Sequence, residues 1–224
     1  NTVSGCCSSV VGGKSNIASG NLSHIGGGCG NLANGGYSSV GGGRKNCACN
    51  EMSFVGGGMY NRAYGGNSFI GGGLLNKATC NHSAIAGGQQ NCTKGGCASI
   101  GGGEGNHACC LATVGGGKSN CAAGASSVVA GGHYNIATGN NSFVGGGGGG
   151  GYCNCAKSDY SSIVGGRGNC TNHGHSHIVG SHISTVATGT LHANCLFLGN
   201  IPASNAGLVA GQVYRDSNTL KIKT

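Results

Sequence analysis

The chain has no tryptophan, one proline and four carboxylates in 224 residues, and each shortage removes a class of protein. The acidic side chains, Glu51, Glu104, Asp159 and Asp216, do not pair along the sequence. Acid–base and triad chemistry need a base and an orienting acid, so the chain is not expected to be an enzyme. No catalytic, cofactor-binding or metal-binding residue is assigned. A single proline, and glycine without a strict three-residue period, exclude collagen. No apolar run approaches the roughly 18 residues that cross a membrane as a helix, so no membrane insertion is expected. Aromatic residues, at 5% of the chain, are too few to form a stacking platform for single-stranded nucleic acid, and no nucleic-acid partner is expected.

What the chain has is glycine, 52 residues of it, in a unit of fifteen that recurs from Asn1 to Ser184. Ile17 to Asn31, Leu32 to Asn46, Cys47 to Asn61, Arg62 to Asn76, Lys77 to Asn91 and Cys92 to Asn106 are successive copies. His107 to Asn120 is one residue short, and Ile136 to Asn154 carries four extra residues, Gly148 to Gly151. Self-similarity at a fixed period marks a solenoid, because each unit buries its apolar face only against its neighbours. The chain starts in mid-repeat at Asn1 and is expected to be a processed product or a fragment of a longer one.

Within a unit, numbered from the residue after each Asn, position 2 is mostly Ala, position 7 mostly Ser and position 9 always Ile or Val. Alternation of 7 and 9 with variable neighbours is the period of a short strand with one buried face. Glycines at positions 10 to 12 supply one turn, and a small residue at position 4 a second. One unit is therefore read as two short strands and two turns. Stacked at about 4.8 Å, twelve such coils make a rod of roughly 58 Å. The Asn at position 15 is expected to form a ladder of amides between coils. A helix is excluded, since glycine at this density costs about 1 kcal/mol per site relative to Ala. One Ile or Val, one Ala and one Ser per coil is a thin interior, so a second face is expected to be buried against sister chains, most naturally in a threefold assembly. The expected fold is an all-β parallel solenoid, residues 1–184, followed by a C-terminal β-hairpin cap or connector, residues 185–224.

The grammar Asn-x-Ala-x-Gly-x-x-Ser-x-Ile/Val-Gly-Gly-Gly, carried by residues 1–184, resembles the head repeats of trimeric autotransporter adhesins. It is also similar to Gly- and Asn-rich repeats of bacteriophage and viral tail-fibre proteins. It departs from the adhesin motif before position 9, where Phe54, Ser39, His24 and Ala84 stand. The resemblance implies a homotrimeric, left-handed parallel β-roll serving as a structural fibre for surface attachment, on a virion or at a cell surface. A host-cell surface or glycan is the implied partner. The alternative is a self-assembling extracellular filament or bacterial surface adhesin subunit. Receptor contacts are expected at positions 5, 6, 13 and 14 or in the insertion Gly148 to Gly151.

The tail departs from the period. Leu196 to Pro202 and Gly211 to Lys223 read as strand segments, with Asp216-Ser217-Asn218 as turn chemistry. Fifteen cysteines, mostly at small-residue positions, are expected to be mainly free thiols of a chain assembled in a reducing cytosol, with Cys155 and Cys170 near enough to bond. Cys47-x-Cys49 and Cys153-x-Cys155 have the wrong bite for structural zinc. His173, His175 and His177 invite a metal, but Ser176 and Ile178 hold the inward phase, so His175 and His177 are expected to point outward. The segments ending in Lys14-Ser15 and Lys118-Ser119 mimic a phosphate loop but lack its first glycine, and no helix follows. Net charge is +8, with Lys14, Arg44, Lys45, Lys118 and Arg167 after the glycines as a solvated basic ridge.

Overall fold

The computed structural model describes residues 1–194 and the strands Val213–Asp216 and Thr219–Ile222. The expected strand at Leu196 to Pro202 and the turn residues Ser217 and Asn218 lie outside the described residues. The chain divides into two compact units, Asn1–Asn194 and Cys195–Thr224.

The first unit is an all-β parallel solenoid built from two sheets. A 12-stranded sheet takes positions 1 and 2 of each coil, from Thr2–Val3 to Cys170–Thr171. A 13-stranded sheet takes positions 8 and 9, from Ser9–Val10 onward. Each strand pairs in parallel with the same positions of the neighbouring coil, Arg62 with Lys77 and Ile70 with Ile85 for example. The short coil shifts the register by fourteen residues, pairing His107 with Cys121, and the long one by nineteen, pairing Ile136 with Cys155, without breaking either sheet. The stack continues past Ser184: His177–Val179 pairs with Leu191–Ala193 as a last rung after an irregular return. In the second unit, Val213–Asp216 and Thr219–Ile222 form an antiparallel pair.

The coil has a third column that the strand-and-turn reading misses. Residues at position 13, from Lys14 through Cys29, Arg44 and Met59 to Gly148, form a run of isolated parallel bridges. The turns also differ from expectation. Position 12 is left-handed as its glycines suggest, Gly73 at φ +95° for example. Gly5, Gly20 and Gly35 at position 4 are not left-handed; that corner turns at position 6, through Leu22, Tyr37, Met52 and their counterparts at φ of 51–57°. Position 14 does the same, with Lys45, Tyr60 and Leu75 at φ of 53–59°.

The hydrogen bonds explain why side chains tolerate this. In the strands and at position 13, N–H groups donate to the following coil: Ser9 to Ser23, Lys14 to Gly28. At the left-handed residues the peptide reverses and donates to the preceding coil: Leu22 to Cys6, Lys45 to Cys29. From the second coil on, each left-handed residue at positions 6 and 14 is thus matched by a ladder bond that a right-handed residue would aim the other way.

The interior closes within a single chain. Ala18, Ile25, Ala33, Val40 and their successors are 0% exposed, alongside buried Asn at position 15 and Ser at position 7. Alanine in one sheet faces Ile or Val in the other, and the small–large pairing fills the narrow lumen. Core burial therefore does not call for sister chains, contrary to the argument from a thin interior. The asparagines complete the frame. Asn76 Nδ2 donates to the Gly72 carbonyl of its own coil and the Gly88 carbonyl of the next, and its Oδ1 accepts the Asn91 N–H. The same scheme repeats from Asn16 to Asn154.

Candidate functional site

Because the inward positions are spent on the stack, any chemistry falls to the outward ones. The outer face of the 12-stranded sheet presents positions 1 and 3, bordered by the left-handed residue at position 14. None of these positions in residues 1–184 carries a carboxylate. Glu51 and Asp159 lie at position 5, where Asp159 accepts the Asn140 N–H at 2.7 Å, and Glu104 lies at position 13. Arg62, Lys77 and Lys94 stand on three successive coils of this face, all exposed.

The face is concave there. One hollow of about 470 Å³ is lined by Leu32, Lys45, Cys47, Cys49, Arg62 and Tyr64 among others. A second, of about 380 Å³, is lined by Leu75, Lys77, Gln90, Cys92, Lys94 and His107. A third, of about 400 Å³, lies against the insertion, between Tyr134, Ile136, Gly151 and Cys153. The cations of the first hollow are positioned by their neighbours. Arg62 Nη1 donates to the Tyr64 hydroxyl at 3.2 Å, and Lys45 Nζ lies 5.4 Å above the Tyr60 ring centre. The one ion pair among the described residues, Lys118 with Glu104 at 3.1 Å, is half exposed and belongs to the position 13 column. Arg62, Lys77 and Lys94 are therefore without a carboxylate partner among the described residues.

Seven of the fourteen described cysteines also stand at positions 1 and 3 of this face. Cys47 and Cys49, at positions 1 and 3 of one coil, are disulfide-bonded across a Cα separation of 5.3 Å. Twelve other described cysteines are free. Cys155 and Cys170 are rung neighbours but remain thiols, and Cys155 Sγ lies 3.2 Å from Cys153 Sγ instead. Burial, then the hydrogen bond and charge of Cys153, pushes the Cys155 thiol up to about 12. Burial likewise raises Cys92 and Cys121. Thiols held protonated are poor nucleophiles and metal ligands. Burial, with Lys94 nearby, lowers the affinity of His107 for a proton, and its shielded Nδ1 has no hydrogen-bond partner.

The histidine run is dispersed by the coil geometry. His175 and His177 are exposed, as the inward phase of Ser176 and Ile178 requires. His173 Nδ1 lies 3.0 Å from the Thr185 carbonyl, His175 stacks on Tyr160 at 5.0 Å, and His177 Nδ1 lies 2.7 Å from Ser162 Oγ. Among the described residues no three His, Cys, Asp or Glu side chains converge on one point. No helix of the described residues is long and apolar enough to cross a membrane.

The outer face of the 13-stranded sheet is different in kind. Position 8 presents Phe54 and Phe69, stacked at 5.5 Å, and Phe143, beside a row of mostly glycine at position 10. Of the expected contact positions 5, 6, 13 and 14, only position 14 lines the first two hollows, and alternation alone does not show that the surface at positions 1 and 3 is hollowed. No protein-family model matches the chain, and no curated protein matches its sequence.

Proposed function

We propose that the chain is a structural fibre segment for surface attachment, a phage or viral tail-fibre or adhesin-like shaft assembled as a homotrimer. The observation that carries this reading is the continuous two-sheet stack, in which one set of inward residues repeats while the outward residues vary. Such a frame transmits length and stiffness and leaves its surface free to diversify. The exposed, stacked pair Phe54 and Phe69 beside bare glycine backbone supports packing against sister chains, since exposed aromatics favour association.

Light scattering under reducing conditions, with electron microscopy of the same sample, tests the proposal. The expected result is a discrete three-chain rod. Deleting two whole coils, residues 62–91, is expected to shorten it by about 10 Å without dissociating it. A compact monomer would remove the trimer. A population that lengthens with concentration would replace the shaft by the self-assembling filament.

A further inference from the structure

We propose that the two successive hollows on the outer face of the 12-stranded sheet, from Lys45 to Lys94, act together as one groove that binds a linear anionic polysaccharide bearing sulfate or carboxylate groups. The inference deepens the attachment reading by naming a receptor class and rests on it only for its biological role; the groove and the shaft are tested by different measurements.

The first argument is electrostatic. Arg62 and Lys77 are direct register partners on adjacent parallel strands, and Lys94 follows one rung further on. Like charges placed opposite one another destabilise a sheet, and here no carboxylate of the face offsets them. An anion lying across the rungs removes that repulsion. The three cations extend over two rung spacings, about 10 Å, too far for one small anion to reach them all. A chain with a repeated anionic group meets one cation per rung.

The second argument is the rest of the lining. Tyr64, bonded to Arg62, contributes a hydroxyl, and Asn34 and Gln90 add amides to the same hollows. Hydroxyls and amides between cations suit a polymer of sugar rings, whose hydroxyls alternate with acidic groups. A single-stranded nucleic acid needs a series of free aromatic faces for its bases. Tyr60 already lies under Lys45, and Tyr64 is the one tyrosine or phenylalanine ring lining the two hollows, so that series is missing.

The test uses the full chain and three immobilised probes: a heparin decasaccharide, a dT oligonucleotide of similar charge, and neutral dextran. Two triple variants each lower the net charge from +8 by three, to +5. One removes the groove cations (Arg62→Gln, Lys77→Gln, Lys94→Gln). The other removes position 13 and ridge cations (Lys14→Gln, Arg44→Gln, Arg167→Gln). The proposal expects heparin binding that weakens at least roughly ten-fold in the groove triple, with the slope of log affinity against log salt shallower by about two to three. The ridge triple is expected to stay within about two-fold of the parent. The single variants Arg62→Gln and Lys77→Gln, at exposed positions, carry the same test if the triple is unstable. Equal losses in both triples would reduce the effect to net charge and overturn the proposal. So would absence of heparin binding at low salt. Equal or tighter binding of the dT oligonucleotide would replace the saccharide by nucleic acid.

Discussion

The coil has two polar corners, and they are held in opposite ways. At position 15 each asparagine makes bonds that leave its coil: Asn76 touches the carbonyls of Gly72 and Gly88 and the N–H of Asn91. At position 7 the serines mainly close their own turn, as Ser68 does on the Gly65 carbonyl at 2.6 Å; among the described residues Ser8, Ser161 and Ser176 also reach the next coil. Ser23 and Ser38 are as deeply buried and have no partner at all. The sequence follows the difference. Asparagine holds its place on every rung from Asn16 to Asn169, whereas Ala98 and Ala112 replace serine at position 7. Chemistry that joins coils is kept; chemistry that merely tidies one coil is negotiable.

Asn76→Ala should therefore be the most damaging change at either corner. Asn76 is 0% exposed, and its loss strands the Gly72 carbonyl and the Asn91 N–H and takes one of two donors from the Gly88 carbonyl, which keeps the Leu74 N–H. At roughly 1–3 kcal/mol for each stranded group, with partial relaxation, the expected loss is about 3–5 kcal/mol. Urea unfolding followed by circular dichroism measures it. A loss no larger than that of a serine substitution would break the comparison between the corners.

The asparagine corner was legible in the sequence because its residue type and its job coincide: a small amide, once per coil, next to glycines. The inward Ala, Ser and Ile or Val were legible for the same reason, since alternation reports burial directly. The left-handed turns were not. They are occupied by Leu22, Tyr37, Met52, Lys45 and Tyr60, residues that on their own avoid φ > 0, and only the backward hydrogen bonds of the stack make them acceptable. Glycine at position 4 pointed to the wrong residue of that corner. The position 13 column was hidden because its members, Lys14, Cys29, Arg44, Met59 and Leu74, share nothing but their place in the repeat. The groove was partly hidden: Arg62, Lys77 and Lys94 sit at two different repeat positions, and only stacking sets them side by side.

The serine corner offers two graded tests. Ser68→Ala removes one hydrogen bond to the Gly65 carbonyl and should cost about 1 kcal/mol. Ser38→Ala removes a hydroxyl that is buried without a partner, and should be neutral or slightly stabilising, within about 0.5 kcal/mol of zero. Equal costs for the two, in the same urea series, would mean that volume rather than hydrogen bonding governs position 7.

The smallest expected effect sharpens the comparison from outside, because neither corner titrates. A stack held by neutral amides and hydroxyls should be nearly indifferent to pH, and what dependence it has should come from the outer face. His107 has its proton affinity lowered from 6.5 by burial and by Lys94. The unfolded chain then takes up the proton first, so stability is full above 6.5 and declines as pH falls from there through the folded value. The thiols act at the other end. Cys92, Cys121 and Cys155 are raised above 9.0, Cys155 to about 12, so the unfolded chain loses these protons first. Their contribution is complete below 9.0 and is lost as pH rises from there towards the folded values. Melting temperature against pH, measured under reducing conditions, should show a plateau flanked by two shallow declines. His107→Gln should flatten the acid side alone, and Cys155→Ala should reduce the alkaline side alone. An acid decline that survives His107→Gln unchanged would place a titrating group inside the frame that holds the coils together, and the division between a neutral interior and a charged exterior would fail.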